Sequence, residues 1–164
     1  VTALSDEQAE SLSSHKGVLH LNGLAALSAK AAAALAAHEG VLSLDGLTVM
    51  SDVQAGAFAQ HEGGLSLNSL TALSDMQAES LAKHKSWLSL DSVKRLSDNQ
   101  AVSLAKHMGG LELNGLASLS DSQAEVFAAG DNSVRLLGLT TLSDKAAAAL
   151  RKNSRIFLPA QFRR

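Results

Sequence analysis

Five histidines recur at a fixed spacing and are the first residues in the sequence whose chemistry needs an account. They stand 23 residues apart, at His15, His38, His61, His84 and His107. Imidazoles bind metal ions, but the ligands of one ion must lie about 2 Å from it. If each histidine lies on a separate helix of a packed row, neighbouring positions are about 8–10 Å apart. We therefore predict no shared metal ion, and expect each histidine to bond the carbonyl groups at a helix C-terminus. A pH-sensing role is the weaker hypothesis.

A second column alternates between asparagine and aspartate, at Asn22, Asp45, Asn68, Asp91 and Asn114. A calcium site needs several carboxylates together, and the two aspartates stand two repeats apart. Both residue types bond nearby backbone groups at bends, so the column is predicted to be structural. The sequence predicts no metal and no other cofactor.

A serine column is assigned to helix capping rather than to nucleophilic catalysis. In five repeats the serine is followed three residues later by glutamine, the pattern of a reciprocal capping box. These boxes are Ser5 with Gln8, Ser51 with Gln54, Ser74 with Gln77, Ser97 with Gln100 and Ser120 with Gln123. Ser28 and Ser143 keep the cap but have Ala31 and Ala146 at the glutamine position. His20 is the one histidine outside the column, and nothing near it in the sequence pairs it with a nucleophilic residue. No Gly-rich phosphate loop follows a strand. We predict a protein that is not an enzyme.

These columns belong to a unit of 23 residues that recurs about seven times. Alternation at Leu19 and Leu21 predicts a short strand with one buried face. An Asn-Gly, Asp-Gly or Ser-containing bend follows, then a short extended piece at residues 24–27. The serine cap begins a helix of about ten residues. A glycine near the helix end is the usual left-handed terminator, and such glycines stand at Gly17, Gly40, Gly63 and Gly109.

A period of this length predicts a solenoid in which each unit packs on its neighbours. The strands of successive units form one parallel sheet, and the helices form the other layer. Because a helix is wider than the strand spacing of about 4.8 Å, the stack must curve with the sheet on the concave side and the helices on the convex side.

The repeat resembles the leucine-rich repeat family, most closely its bacterial 23-residue class, which includes BspA-like surface proteins. That class has a pattern like L-x-I-P-x-x-V-x-x-I-G-x-x-A-F-x-x-C. The matching buried positions here are Leu19, Leu21, Leu24, Leu27, Ala32 and Leu35. Asn22, Ser28 and Leu35 replace the Pro, Gly and Cys of that pattern. The resemblance implies a right-handed α/β solenoid, and such repeats bind many different protein partners.

Composition excludes several classes of function. Hydrophobic residues make up 46% of the 164 residues and charged residues 18%, which is typical of a globular protein. The net charge of −2 provides no overall attraction for nucleic acid. No apolar run approaches the roughly 20 residues of a membrane helix, so no membrane insertion is predicted. Without cysteine there are no disulfides or thiolate metal sites, and cysteine content therefore indicates no particular cellular compartment.

The exposed strand positions are the predicted partner-binding surface. Most are small and polar, but Trp87, the single tryptophan, is placed outward between Gly64 and Gly110. Tryptophan is enriched in interface hot spots, while the alternative is that it covers these small neighbours from water. Glu112 and Arg135 are expected to pair across adjacent units. The candidate binding residues are Trp87, His20, Val41, Glu112, Arg135 and Met108.

The two ends differ from the repeats. Residues 1–164 are one repeat domain, with regular units in 1–150 and a C-terminal cap and basic tail in 151–164. Phe157 aligns with Leu19, and Pro159 blunts the sheet edge, so Phe157, Leu158 and Phe162 are expected to cover the last unit. The chain opens at Val1 with neither a start Met nor a signal peptide, and we expect a processed chain or a fragment.

Two functions follow from this sequence. The favoured one is a non-catalytic scaffold that binds a protein partner of unknown identity through the concave strand face. The alternative is a structural spacer, or a self-associating segment of a larger surface or multidomain protein. That alternative rests on the N-terminal end, which has no cap comparable to the C-terminal one and leaves apolar side chains uncovered.

Overall fold

The computed structural model describes residues 2–164, so Val1, at the predicted open end, lies outside the described residues. Within this range the chain forms seven α-helices, seven short strands and one 3₁₀ helix. The helices are α1 (Asp6–Ser13), α2 (Ala29–Ala36), α3 (Asp52–Phe58), α4 (Asp75–Leu81), α5 (Asp98–Leu104), α6 (Asp121–Ala129) and α7 (Asp144–Arg151). None of these helices is long and apolar enough to span a membrane.

The strands alternate with the helices and form one sheet. They are β1 (Leu19–His20), β2 (Leu42–Ser43), β3 (Leu65–Ser66), β4 (Leu88–Ser89), β5 (Gly110–Glu112), β6 (Ser133–Arg135) and β7 (Ile156–Phe157), followed by the 3₁₀ helix Ala160–Phe162. Their order in the sheet is their order in the chain, and every pair is parallel. The predicted α/β solenoid of strand–helix units is therefore confirmed. The predicted extended piece at residues 24–27 forms no strand.

Each helix begins where the capping pattern predicts. All five predicted boxes are present in full, with the serine hydroxyl accepting from the glutamine N–H and the glutamine side chain accepting from the serine N–H. Ser28 and Ser143 cap the backbone N–H of Ala31 and Ala146 without the reciprocal bond. The helices are seven to nine residues long, shorter than the ten expected.

The capping residues also join one unit to the next. The glutamine side-chain amide donates to a backbone carbonyl of the preceding unit, as from Gln77 to Met50 at 2.5 Å and from Gln100 to Leu73 at 2.8 Å. The serine hydroxyl donates to the first aspartate of the preceding helix, as from Ser97 to Asp75 at 2.8 Å. The repeated Ser-Asp-x-Gln sequence thus both begins a helix and fixes its distance from the neighbouring helix.

Replacing Gln77 by Ala is expected to lower the free energy of unfolding by about 1 kcal/mol more than replacing Gln8 by Ala. Both glutamines make the local capping box, but only Gln77 bonds a second unit, and one net hydrogen bond contributes about 1 kcal/mol. Urea unfolding of the two variants measures the difference. Equal losses would show that the bond between units contributes nothing to stability.

The core lies between the sheet and the helices and consists of stacked columns of apolar side chains. Both strand leucines of each interior unit are fully buried, as Leu42 and Leu44 are in the second unit. The helices contribute one large side chain each from another column, which contains Leu12, Leu35, Phe58, Leu81, Leu104, Phe127 and Leu150. Since every unit adds the same layer, burial is nearly complete in the interior units and incomplete in the first unit, where Leu12, Leu19 and Leu21 are only partly buried.

The predicted role of glycine at the helix ends is wrong. Only Gly17 and Gly40 have positive φ, while Gly63 and Gly109 do not. Six of the seven helices end instead in right-handed residues, such as Ser14 after α1, and α6 ends in the extended Gly130. Glycine is required because consecutive units pack closely: a Cβ atom on Gly63 would overlap the carbonyl oxygen of Gly40.

The 23-residue register breaks at the last unit. Val134 pairs with Ile156, which is 22 residues away, and Arg135 pairs with Phe157. Ile156 and Leu158 are therefore buried and Phe157 is 44% exposed, so the prediction that Phe157 covers the last unit is wrong. The turn after α7 is shortened around Asn153, whose amide donates to Ala128 and Gly130 of the preceding unit.

Candidate interaction surface

Trp87 lies on the strand face, across two glycines of the neighbouring units. A Cβ atom on Gly64 would be 3.1 Å from Cε3 of the indole, and one on Gly110 would be 3.5 Å from Cδ1. Gly64 is buried and Trp87 is itself only partly buried. The indole therefore covers small neighbours from water, as the alternative interpretation of Trp87 predicts, and still presents part of its surface to the solvent.

Val41 is the one candidate residue that approaches the same place as Trp87. Its Cγ2 atom would be 3.5 Å from a Cβ atom on Gly64, the glycine that the indole covers. Val41 is partly buried. Together Val41 and Trp87 form a small apolar area above Gly64, next to the third of the seven strands.

The serines next to these residues on the strand face are not available to a partner. Ser43, Ser66 and Ser89 occupy positions that the alternation placed outward, yet they are 5%, 5% and 0% exposed. Each hydroxyl donates to the Asn or Asp side chain of the preceding unit, as from Ser66 to Asp45 at 2.6 Å and from Ser89 to Asn68 at 2.7 Å. These strand positions are thus occupied by hydrogen bonds between units.

The Asn and Asp column completes this network. Asn68 accepts from the backbone N–H of Asp91 at 3.0 Å, and Asp91 accepts from that of Asn114 at 2.9 Å. The bonded backbone belongs to the next unit, 23 residues along, and not to the bend of the same unit. A single acceptor oxygen is all that this position needs, which explains why Asn and Asp alternate there.

Glu112, Arg135 and Phe157 form a chain of contacts at the C-terminal side of the strand face. Arg135 Nη1 lies 3.1 Å from Glu112 Oε1, so the expected pairing across adjacent units is confirmed. The guanidinium carbon of Arg135 lies 5.7 Å from the centroid of the Phe157 ring. Such partly exposed contacts contribute little stability, but they hold a carboxylate and a cation in defined positions.

The other two candidate residues lie on different surfaces. His20 is exposed and lines a groove of the first unit with the apolar side chains of Leu4, Leu12, Leu21 and Leu24. Met108 is 82% exposed and lines grooves at the C-terminal ends of the helices. The six candidate residues therefore do not form one site: Trp87 with Val41, and Glu112 with Arg135, are the two pairs that the structure brings together.

The five column histidines form a stack of nearly parallel rings along the solenoid. Ring centroids of neighbouring units are 5.8–6.1 Å apart, with planes within 18° of parallel, closer than the 8–10 Å expected for packed helices. The rings lie in the turns after the helices, where the units converge toward the sheet. Within residues 2–164, no three His, Asp or Glu side chains gather in a group able to hold a metal ion.

Burial lowers the pKa of three inner histidines of the stack, His38, His84 and His107. His38, His61, His84 and His107 are at most 1% exposed. Burial lowers the pKa of His84 to about 4, and the bond from its Nε2–H to the carbonyl of Gly63, at 2.9 Å, acts in the opposite direction. Burial also lowers the pKa of His38 and of His107. Nε2–H of His107 donates to Ser86 at 2.9 Å, so the carbonyl groups that these two rings bond belong to the preceding unit, not to a helix end of their own.

Three lysines that were not among the candidate residues lie in a groove with Met108, which was. Lys83, Lys85, Lys106 and Met108 line one groove between the C-terminal ends of α4 and α5, which we call the lysine–methionine groove. Lys83 and Lys106 are 23 residues apart, as are Lys85 and Met108. The signal in the sequence was that lysine recurs in these two columns, also as Lys152 in the first and as Lys16 in the second, although other residue types stand there in the remaining units.

The single sheet, the stacked helices and the bonded columns define an α/β solenoid in which each unit packs on its neighbours. No protein-family model matches the sequence, and no curated protein matches it. Many of the repeated polar side chains bond neighbouring units, as those of Gln77, Ser89 and His84 do.

Proposed function

We propose that the chain is a non-catalytic scaffold, similar to leucine-rich repeat proteins, that binds a protein partner through the strand face around Trp87. One observation carries the proposal: the repeated serine, glutamine, asparagine, aspartate and histidine columns lie between units or bond adjacent units. The exposed side chains of the strand face are those that do not repeat. Tryptophan and arginine are the residue types enriched where partners bind.

The strand face offers an apolar centre with charges on one side. Trp87 and Val41 supply the apolar contact over Gly64, while the ion pair of Glu112 and Arg135 joins the next two units after that of Trp87. An apolar centre with a polar rim is the usual anatomy of a protein–protein interface. The partner expected for this face is a protein with a complementary apolar side chain flanked by polar groups.

The test is capture of partners from a lysate of the source cell, by wild type and by the Trp87→Ala variant side by side. A protein retained by wild type and lost with Trp87→Ala is expected, since removing an aromatic anchor typically costs 2 kcal/mol or more of binding. The control is Val53→Ala, which removes an exposed apolar side chain from α3. Circular dichroism of each variant checks that the fold is retained.

A captured protein is then titrated against the purified chain. Because Trp87 is the single tryptophan of the chain, its fluorescence reports contact at this position. The emission of the partner alone is subtracted from that of the mixture. Binding without any change in the emission of Trp87, or equal retention by wild type and Trp87→Ala, would contradict the proposed face.

The alternative function, a spacer or self-associating segment, is favoured by the first unit. Its outer groove of about 320 Å³ is lined by Leu4, Leu12, Leu21 and Leu24, apolar side chains that a neighbouring unit covers everywhere else. The capture experiment separates the two functions. If both wild type and Trp87→Ala retain only further copies of the chain, self-association replaces the strand-face proposal.

A further inference from the structure

We propose that the lysine–methionine groove binds an extended, acidic peptide segment of a partner protein. The groove has a volume of about 420 Å³, and its remaining lining comes from Glu79, Ala82 and Ser103. It lies at the C-terminal ends of α4 and α5, a different surface from the sheet, so it stands independently of the strand face and of Trp87.

The groove continues on both sides. Lys83 and Lys85 also line a groove shared with His61 and Glu62 of the third unit. Lys106 and Met108 also line a groove that reaches the turn of the sixth unit. Because each neighbouring groove shares two of its lining residues with the central one, the three grooves adjoin one another across four units. Such a row of grooves suits a chain segment better than a single small molecule.

The charge of the groove favours an acidic occupant. Lys83 is paired with Glu79 at 3.3 Å, whereas no carboxylate of residues 2–164 lies within 4.0 Å of the Lys85 or Lys106 ammonium groups. The acids at the two ends, Glu62 and Asp131, line the flanking grooves, and Asp131 is itself paired with Arg155 at 3.4 Å. The centre therefore keeps two unpaired positive charges.

The spacing of the units matches an extended chain. At this edge the stacked histidine rings repeat every 5.8–6.1 Å, and an extended peptide advances about 6.6 Å in two residues. Acidic side chains at alternate positions of a peptide that runs along the solenoid would therefore meet lysines of consecutive units, namely Lys85 and then Lys106, the two without an ion pair. Met108, 82% exposed, offers an adaptable apolar contact beside them.

A peptide fits these features better than a nucleic acid does. Nucleic-acid affinity grows with the number of phosphates that are neutralised, and only two cations are unpaired here. The lining residues include Met108 and Ala82 but no exposed aromatic side chain on which a base could stack, which is the usual requirement for single strands.

The experiment is fluorescence anisotropy with a fluorescein-labelled peptide, Gly-Glu-Leu-Glu-Leu-Glu-Gly, and its counterpart with Gln in place of Glu. Wild type is compared with the double variant Lys85→Glu and Lys106→Glu. The matched control is Lys94→Glu with Arg95→Glu, which changes the net charge equally at exposed positions that line none of the three grooves. We expect about tenfold weaker binding in the groove variant, a change below about twofold in the control, and no binding of the Gln peptide.

Three results would overturn the proposal. Equal weakening in both double variants would show attraction by net charge alone. No binding of the Glu peptide to wild type would remove the acidic occupant. Tighter binding of a single-stranded DNA oligonucleotide than of the peptide, lost in the groove variant, would assign the groove to nucleic acid. The Trp87→Ala variant is expected to bind the peptide like wild type, so failure here is distinguishable from failure of the strand face.

Discussion

Lowering the pH from 7.5 to 5 is expected to lower the free energy of unfolding by at least about 2 kcal/mol, because burial lowers the pKa of His38, His84 and His107 in the folded chain. The pKa of His84 is about 4 in the folded protein and about 6.5 in an unfolded chain. Between these two values the unfolded chain binds a proton that the folded chain excludes. Stability therefore rises with pH across this window, and it is lost as the pH falls below about 6.5.

His84 alone accounts for about 2 kcal/mol of this loss. One pKa unit corresponds to about 1.36 kcal/mol, and pH 5 lies about 1.5 units below the pKa of about 6.5 in the unfolded chain. His38 and His107 add to it, because burial lowers their pKa values too. The groups that face the column include the neighbouring rings, which oppose a second positive charge, and Glu39, which acts in the opposite direction on His38. For a chain of this length the loss corresponds to a melting temperature lower by about 4–8 °C.

Thermal unfolding at pH 7.5, 6.5, 5.5 and 5 measures this dependence of stability on pH. The His84→Gln variant removes the buried imidazole, so its stability should depend less steeply on pH even if it is lower throughout. His20→Gln is the matched control, because His20 is exposed in the groove of the first unit and lies outside the stack. A midpoint that is unchanged from pH 7.5 to 5 in wild type would refute both the lowered pKa of His84 and any role of these histidines in sensing pH.

Much of this fold follows from the 23-residue period of the sequence alone. The strand and helix positions, the parallel sheet and the capping boxes were all predictable, because each depends on residues close together in the sequence and recurs in every unit. The shortened last unit was not, since a one-residue change in the turn after α7 is set by the bonds of Asn153 to the preceding unit. The role of Gly63 was missed for the same reason: its neighbour is a carbonyl oxygen 23 residues away.

The candidate surface was less predictable than the fold. Alternation along a strand assigns a face but not an exposed area, and the bonds of Ser66 and Ser89 to the preceding unit bury side chains that the pattern places outward. Trp87 could be placed because its glycine neighbours are one period away on either side. The lysine–methionine groove could not, because it combines residues from two positions of the repeat whose distance depends on how the turns pack.

The same substitution, glycine to alanine, is expected to have opposite effects at two positions of this chain. Gly40→Ala should lower the free energy of unfolding by about 2–3 kcal/mol. Its φ is +125°, which disfavours a side chain, and the added Cβ would also overlap the carbonyl oxygen of Gly17 in the preceding unit. Gly56→Ala should raise the free energy of unfolding by about 0.5–1 kcal/mol, because alanine is the better helix former. Gly56 lies inside α3, and no atom lies within 4 Å of the added carbon.

Gly17→Ala separates the two causes of the expected loss at Gly40. Gly17 also has a positive φ, +99°, but no atom lies within 4 Å of an added Cβ, so this variant bears the backbone strain without the overlap. Urea unfolding of the three variants should therefore rank Gly56→Ala above wild type, Gly17→Ala below it and Gly40→Ala lowest. If Gly17→Ala and Gly40→Ala lose equal stability, the backbone strain of a positive φ is the only reason for glycine at position 40. The close packing of consecutive turns, which also positions the stacked histidines, would then not limit what residue the turn accepts.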